Sequence, residues 1–399
     1  MKNEVLIISH FSENEDNISN DRLKYIAGMI GKSYLTELLT SSFLHTAKKH
    51  SLNKKEQHEF YTTTYIDEPG YQRNVSIKRF ISHFRSGKNL KRYLKSIQCP
   101  KMLYCAVPSL SWAFVATRFA LRNRIPIVID IQDLWPEAFK MVFNPWGLGN
   151  IIYYPMKRIA DYIYQHANAV ISVSDTYCRR AELGKTERKF FLPVYIGTSF
   201  ERFDKILPHQ QEQDIFYLIY VGTLGHSYDL KCAIDAYGIV KQNKNTDLLK
   251  FLILGDGPLE QEFKRYARDK NLDVEFKGRL KYEEMVSYLK SAHIAINPIN
   301  GKSVASIINK HADYAAAGLP VISTQDSQEY KILLEKYNAG FNCECGDSQQ
   351  MARYIIHLLT NEETWKEMAA NSRKLGEAVF NRDTSYIKIE ELIRKILKK

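Results

Sequence analysis

The sequence predicts an α/β protein built from two Rossmann-like domains with parallel sheets, and three observations carry that expectation. Short β-branched runs alternate with helix-length amphipathic segments along the whole chain, the pattern of parallel strands joined by helical crossovers. The 399 residues, 45% hydrophobic and 25% charged, suffice for more than one buried core. Near the middle, Phe200–Gln213 breaks the alternation with Pro208 and a polar Gln-Gln-Glu-Gln stretch, and reads as a linker. The expected division is residues 1–200, a linker at 201–213, residues 214–375, and a C-terminal helix at 376–399.

In the first domain the strand-like runs are Val5–Ser9, Tyr61–Ile66, Met102–Val107, Pro126–Ile131, Ala169–Val173 and Phe190–Tyr195. In the second they are Phe216–Val221, Phe251–Leu254, Val274–Phe276, Ile294–Asn297 and Pro320–Ser323. Each is three to six residues long, rich in Val, Ile, Leu, Phe or Tyr, the composition of a buried strand. The last segment places Tyr386, Ile389, Ile393, Ile396 and Leu397 at helical spacing, so one face must be covered. It either closes the second domain or crosses back to the first.

Composition excludes disordered, collagen-like and disulfide-scaffold classes. Six cysteines show no C-x-x-C pair and no zinc-type histidine spacing, and Cys343 and Cys345 read as strand residues. The run Met1–Ser9 is too short for a signal-peptide core, and Tyr104–Leu121 is interrupted by Pro108, serines and Arg118. The expectation is a cytoplasmic, reduced protein. The formal net charge of +11 points to an anionic partner. Residues 1–200 hold 28 basic and 17 acidic side chains, whereas the rest balance at 28 of each. Between Glu68 and Asp130 lie twelve lysines and arginines and no acid.

Three motifs in the second domain carry chemistry. Strand Phe216–Val221 runs into Gly222-Thr223-Leu-Gly225 before a helix from about Leu230, and glycines there let backbone amides approach a phosphate. Strand Phe251–Leu254 ends in Gly255-Asp-Gly257-Pro258, ahead of a helix over Leu259–Asp269. Each turn alone reads equally well as a tight structural turn. A helix beginning near Ser306 and ending at Gly318 sets Ser306, Lys310 and Asp313 on one face, aiming a cation and free amides at an anion and a carboxylate at hydroxyls.

Taken in order, Tyr220-Val-Gly222-Thr-Leu-Gly225, Gly255-Asp-Gly257-Pro258, Phe276-Lys-Gly278-Arg279, Asn309-Lys310-x-x-Asp313-Tyr314-x-Ala-x-Gly318-x-Pro320 and Tyr337-Asn-Ala-Gly340-Phe341 resemble the family 4 retaining glycosyltransferases of GT-B fold. Asp130-Ile-Gln-Asp133-Leu-Trp135-Pro136-Glu137 resembles a segment of the capsule and O-antigen members, and Ser172-Val-Ser174 a segment common in that family. The resemblance implies two Rossmann-like domains facing across a cleft, with a UDP- or GDP-linked sugar as donor. It implies that Gly222, Thr223 and Gly225 lie near the donor diphosphate with Lys310, that Gly257, Lys277 and Arg279 lie near the base, and that Asp313 lies on the ribose. Ser306 to Asn309 would offer amides to the sugar. The sequence departs from the pattern at Thr223 and Tyr228, where many members carry Arg and Lys, and at Ala305, where they carry a glutamate.

The implied mechanism is metal-independent and without cofactor, the departing diphosphate taking the acceptor proton, so that positioning and leaving-group stabilisation dominate. The first domain then orients the acceptor. Its candidates are Asp133 and Glu137 after strand Pro126–Ile131, His10 after the first strand, and, behind them, His45. Asp133 reads equally as a helix cap and His10 as a structural histidine. In the basic interval, Lys78, Arg79, Arg85, Lys88, Lys91, Arg92 and Lys95 interleave with apolar residues, which suits docking on an anionic bilayer bearing a lipid-linked glycan acceptor. The expected setting is bacterial surface polysaccharide assembly, peripheral on the inner membrane face. The alternatives are a catalytically weak binding subunit of an assembly complex and, least favoured, a nucleic-acid binder, for which no accompanying motif is present.

Overall fold

A computed structural model describes residues 4–12, 21–73, 76–138, 148–183, 190–210, 215–243, 248–301 and 307–398. Its contacts divide the chain into two units, Met1–Val194 with Tyr386–Lys399, and Tyr195–Ser385. The divisions fall at 194/195 and 385/386, not at the 200/201 and 375/376 positions read from the sequence. The reason is local pairing. Thr198 exchanges backbone hydrogen bonds with Phe380 and Arg382, and the buried Arg382 guanidinium donates to the carbonyls of Ile196 and Gly197. Residues 195–200 and 376–385 are thereby tied to each other inside the second unit.

Unit 1 contains, in chain order, β1 Val5–Ile8, α1 Arg22–Gly31, β2 Thr36–Ser41, β3 Phe43–Leu44, β4 Lys49–His50, β5 Lys55–Gln57, β6 Tyr61–Ile66, α2 Ile77–Ser96, β7 Met102–Val107, α3 Leu110–Asn123 and β8 Ile127–Ile131. It continues with α4 Gly149–Ile152, α5 Tyr154–His166, β9 Ala169–Ser172, α6 Asp175–Glu182 and β10 Phe190–Pro193. The sheet order β10-β9-β8-β7-β1-β2-β6-β5 is parallel except for the edge strand β5. Each face of the sheet has its own core. Leu6 and Ile8 of β1 pack with Leu90, Leu94 and Trp112 on one side, Val5 and Ile7 with Leu23 and Ile26 on the other, the two-residue period of a strand buried on both faces.

Unit 2 contains α7 Phe200–Lys205, β11 Phe216–Val221, α8 Leu230–Lys241, β12 Leu249–Leu254, α9 Glu260–Asp269, β13 Val274–Gly278, α10 Tyr282–Ser291 and β14 Ile294–Asn297. After these come α11 Asn309–Ala316, β15 Val321–Ser323, α12 Gln328–Tyr337, β16 Gly340–Asn342, α13 Ser348–Thr360, α14 Glu362–Leu375, a π turn at Gly376–Phe380 and α15 Arg382–Ser385. Its sheet, β13-β12-β11-β14-β15-β16, is wholly parallel. Two expectations are corrected. The opening of the supposed linker is α7, capped by Ser199 and anchored by buried Phe200 and Phe203. Cys343 and Cys345 follow β16 and belong to no strand, since β16 ends at Asn342.

The terminal helix α16, Ile387–Leu397, joins unit 1, where Tyr386, Ile389, Ile393 and Ile396 complete the core beside Val5 and Ile7. Its anchor is polar. Arg22 of α1 pairs with Asp130 of β8 at 2.8 Å and donates to the Tyr386 hydroxyl at 2.9 Å, while Tyr104 of β7 donates to the same Asp130 at 2.8 Å. All four side chains are buried, and the carboxylate holds the guanidinium charged by raising its pKa against the effect of burial. Such a pair is strongly destabilising to break, by about 3–5 kcal/mol, because either partner alone would be a buried charge.

Candidate functional site

Each unit is doubly wound, and each offers a topological switch point. In unit 2 the chain runs from β11 outward through β12 and β13, then returns to the other side of β11 at β14. Ligands of such sheets bind at the carboxyl ends of the two strands flanking the switch, here Val221 and Asn297. At that edge Gly222 adopts φ +146° and Gly255 φ +139°. The two glycine turns are stacked backbone to backbone, because a Cβ on Gly255 would stand 1.9 Å from the Gly222 carbonyl oxygen and one on Gly257 2.4 Å from that of Leu224. Gly255 and Gly257 are thus required by packing. Gly225 is not, since a Cβ there meets only the Thr223 methyl at 3.6 Å.

Lys310, in the first turn of α11, reaches back to this turn. A Cβ on Gly222 would lie 2.7 Å from its Nζ. Its Nζ sits 4.1 Å from the ring centre of Tyr220 and 4.0 Å from that of Tyr228, each contact worth about 0.5–2 kcal/mol when the lysine is charged. Tyr220 in turn donates its hydroxyl to the carbonyl of Thr223 at 2.9 Å, bracing the glycine turn. Among the described residues Nζ has no hydrogen-bond partner, and burial pushes its pKa well below the ordinary lysine range. A buried amine with no partner among the described residues leaves room for an external anion.

The other residues singled out in this half are placed differently. Thr223 and Asn309 are exposed at the same edge. Asp313 is buried away from Lys310; its carboxyl accepts from the Tyr282 hydroxyl at 3.2 Å and lies beside Thr198, and burial raises its pKa to about 6 despite those donors. Lys277 pairs with Glu275 at 2.6 Å along β13, and Arg279 is exposed beyond the strand. Ser306 and Ala305 lie outside the described residues. Sequence reasoning missed Tyr220 and Tyr228 as the walls around Lys310, although Tyr228 stands where the resemblance called for a cation.

In unit 1 the switch point lies between β1 and β7, which carry His10 and Ser109 just beyond their carboxyl ends. These two residues share a hydrogen bond of 2.5 Å across it, Nδ1 to Oγ. His10 Nε2 meets Glu68 Oε2 at 2.6 Å, and Glu68 also accepts from the hydroxyls of Ser41 and Ser82. Burial alone would raise the Glu68 carboxyl, but His10 and the two serines outweigh it and hold the pKa down at about 2. His83 stands edge-on to His10 at 4.6 Å, buried, its Nε2 without a partner among the described residues; burial lowers its pKa to about 2. His45 shares a 2.6 Å hydrogen bond with the Tyr71 hydroxyl, and burial with Lys48 and Arg79 nearby lowers it to about 4.

The ligand atoms of His10, Glu68 and His83 lie within 4.8 Å of one another. Two ligands of one tetrahedral zinc ion stand about 3.3 Å apart. At 2.6 Å the His10–Glu68 contact is a hydrogen bond, and His83 packs edge-on beside that pair.

Asp133 and Glu137 are separate from this cluster. Glu137 pairs with Arg180 at 2.5 Å, which also holds Asp161, so it belongs to an ion-pair network joining α5 and α6. Asp133 is raised by burial against the Leu134 amide and Trp135 indole that it accepts from. It is Trp135 of this segment that reaches the cluster, stacked on His83 at 6.1 Å. Of the α2 cations, Lys78, Arg85, Lys88, Lys91, Arg92 and Lys95 are exposed. Arg79 instead turns inward over the rings of Tyr71 and Trp135, at 5.5 and 5.1 Å. Glu68, Ser109 and His83 were missed by sequence reasoning, although Glu68 closely follows a strand end where ligands bind.

Comparison with known proteins meets this geometry. Residues 200–375 match the family Glycosyl transferases group 1. The chain is 28% identical over 133 residues, 32% of its length and 34% of the other, to a GDP-mannose-dependent monoacylated alpha-(1-6)-phosphatidylinositol monomannoside mannosyltransferase of Corynebacterium glutamicum. It is 24% identical over 125 residues, 31% of its length and 35% of the other, to an uncharacterized glycosyltransferase of Haemophilus influenzae. The chain spans about a third of the length of these curated relatives. Among solved structures it is similar to sucrose-phosphate synthase of Thermosynechococcus elongatus, with a TM-score of 0.71 at 15% identity and 99% of both chains covered. Anabaena HepE in complex with UDP gives a TM-score of 0.71 at 14% identity over 99% of this chain and 100% of that one. The two doubly wound units therefore have the GT-B glycosyltransferase fold, and the glycine-turn unit carries the match to Glycosyl transferases group 1.

Proposed function

We propose that this protein is a glycosyltransferase that takes a sugar from a nucleoside diphosphate donor at the Gly222–Lys310 site and transfers it, with retention and without a metal, to a lipid-linked glycan. The observation that carries the reading is Lys310, a buried lysine caged by two tyrosines against a glycine turn and lacking an anion among the described residues. A diphosphate supplies that anion, and Gly222 lets it approach the backbone amides without a side chain in the way. As the sugar–phosphate bond breaks, negative charge grows on the leaving oxygen, and a positively charged Lys310 stabilises the transition state more than the ground state. UDP and UDP-glucose are bound by HepE, and GDP-mannose is used by the corynebacterial mannosyltransferase, which supports a nucleotide-linked sugar as donor.

Acceptor orientation falls in this reading to the His10–Glu68–Ser109 cluster. A phosphatidylinositol mannoside is named for the corynebacterial relative, and a further solved structure similar to this chain, with a TM-score of 0.62 at 13% identity, is that of the lipopolysaccharide outer core galactosyltransferase WaaB, which supports a role in surface polysaccharide assembly at the inner membrane face. Among the described residues no helix is long and apolar enough to cross a membrane. Attachment is assigned to the outer side of α2, where Ile77 is 79% exposed and Ile81 47% among the lysines and arginines.

Thermal unfolding with a panel of nucleotide sugars tests the donor site. A ligand at a hundredfold its Kd stabilises by about 2.7 kcal/mol. The shift should appear with a UDP- or GDP-sugar and vanish in Lys310→Met; no shift with any nucleotide, or an undiminished one in the variant, removes the assignment. The competing reading, a binding subunit with little transfer, is favoured by Ala305 and by the engagement of Asp313 with Tyr282. It predicts the thermal shift without product when lipid-linked acceptors are supplied.

A further inference from the structure

Helices α2 and α3 lie side by side on one face of unit 1 and leave a trough between them. They approach at Gly87, where an added Cβ would be 3.6 Å from the Ser111 Cβ. One depression of about 520 Å³ is walled by Phe80, Phe84, Leu110 and Phe114, with His83 and Trp135 among its lining. A second, of about 580 Å³, shares Lys91, Phe114 and Val115 with the first and extends past Leu94 to Cys99. From Phe80 to Lys95 the trough follows α2 for about 22 Å, at 1.5 Å per residue.

The first depression is apolar, with His83 as a polar group in its lining, and the second is mixed, with lysines, arginines and Asn123 beside apolar side chains. Lys88, Lys91, Lys95 and Arg118 border the trough, and among the described residues no acid lines either depression. His83 is 7% exposed; its Nε2 has no partner among the described residues and its ring abuts His10 of the switch-point cluster. Ile77 and Ile81 are not in the lining, but at helical spacing they stand on the same side of α2 as Phe84 and Lys88, so the surface assigned to the bilayer and the open side of the trough adjoin.

We propose that the α2–α3 trough binds the hydrocarbon chain of a single phosphate-headed lipid, with the phosphate held by Lys88, Lys91 and His83. The chemistry selects this occupant. Two adjoining depressions along α2, the first of them apolar, suit one extended chain, the acid-free cationic rim complements an anionic head, and Nε2 of His83, without a partner among the described residues, supplies a fixed hydrogen bond at the end nearest His10. The proposal rests on the lipid-linked acceptor of the preceding reading, and places that acceptor's lipid in unit 1 beside the cluster assigned to its sugar.

Dodecyl phosphate below its micellar concentration is the probe. Cys99 lines the trough and is exposed, and of the other cysteines only Cys345 is exposed, so a Cys345→Ser variant can carry a polarity-sensitive fluorophore at Cys99 alone. The expected result is a saturable blue shift with one alkyl phosphate per protein, confirmed on unlabelled protein by native mass spectrometry. Inorganic phosphate and dodecyl maltoside should give neither. The exposed pair K88E/K91E should weaken binding by more than about tenfold, since each basic residue near an anionic lipid contributes about one decade or somewhat less. No saturable binding, an equal response to dodecyl maltoside, or unchanged affinity in K88E/K91E overturns the proposal. The nucleotide thermal shift is read on the same preparation: alkyl phosphate binding without it leaves the trough standing and removes the transferase reading, and the converse result removes only the trough.

Discussion

A lysine enclosed by protein loses hydration that no aromatic ring fully replaces, and its proton affinity falls. Lys310 is in that state, its pKa lowered well below the ordinary range by burial alone. A diphosphate arriving at the Gly222 turn adds a strong anion beside it and raises the pKa again, so donor binding and protonation are linked. The sign follows. At a pH between the lowered and restored values, the empty site holds a neutral amine and the occupied site an ammonium, so binding takes up about one proton and weakens as pH rises. Titration calorimetry of a nucleotide in buffers of different ionisation heat measures this directly; zero uptake at every pH below the ordinary lysine range contradicts it. Lys310→Met removes both the proton and its linkage. Without nucleotide the variant should be more stable than the parent by about 1–3 kcal/mol, because a poorly solvated amine is replaced by an apolar side chain of similar length.

At the scale of elements, Glu68 links β6 to β1, β2 and α2 through His10, Ser41 and Ser82. Its folded pKa of about 2 lies below the unfolded 4.5, so its contribution is present above about pH 5 and lost as pH falls through about 2. The depression is worth up to about 3 kcal/mol. Urea unfolding of Glu68→Gln against pH should show a deficit approaching that value at neutral pH and narrowing toward pH 2; a deficit constant with pH means the carboxylate charge is not what stabilises the junction. The same elements show what the sequence could reveal. The apolar runs, from Val5–Ile8 to Val321–Ser323, were legible because strands buried on both faces are nearly continuous hydrophobes. Strand β2, Thr-Glu-Leu-Leu-Thr-Ser, was hidden by polar residues, and its buried Glu37 accepts from Thr64 and Tyr93 of distant segments. The candidate site divides in the same way. Gly222 and Lys310 are local motif positions and could be read, whereas the tyrosine cage and the His10–Glu68–His83 cluster arise from tertiary approach that no spacing encodes.

For the molecule as a whole, the distribution of charge separates two kinds of anion recognition. The surplus of +11 resides in residues 1–200 and the remainder is balanced, so long-range attraction belongs to the first half and nucleotide capture depends on local groups. These respond differently to salt. Exposed charges on α2 are screened within about 10 Å at 0.1 M salt and about 3 Å at 1 M, whereas a buried ammonium touching a diphosphate is screened far less. Co-sedimentation with phosphatidylglycerol-containing vesicles should therefore be strong at low salt and largely lost at high salt, and weak on pure phosphatidylcholine throughout. Over the same range the Kd for the donor nucleotide should change several-fold less. Replacing exposed Ile77 and Ile81 with serine should weaken vesicle binding at every salt concentration, because it removes apolar insertion and leaves the charge intact. Equal partition onto neutral and anionic vesicles would take the charge surplus out of membrane recognition. A nucleotide affinity as salt-sensitive as vesicle binding would mean that Lys310 is not shielded from solvent when the donor is bound.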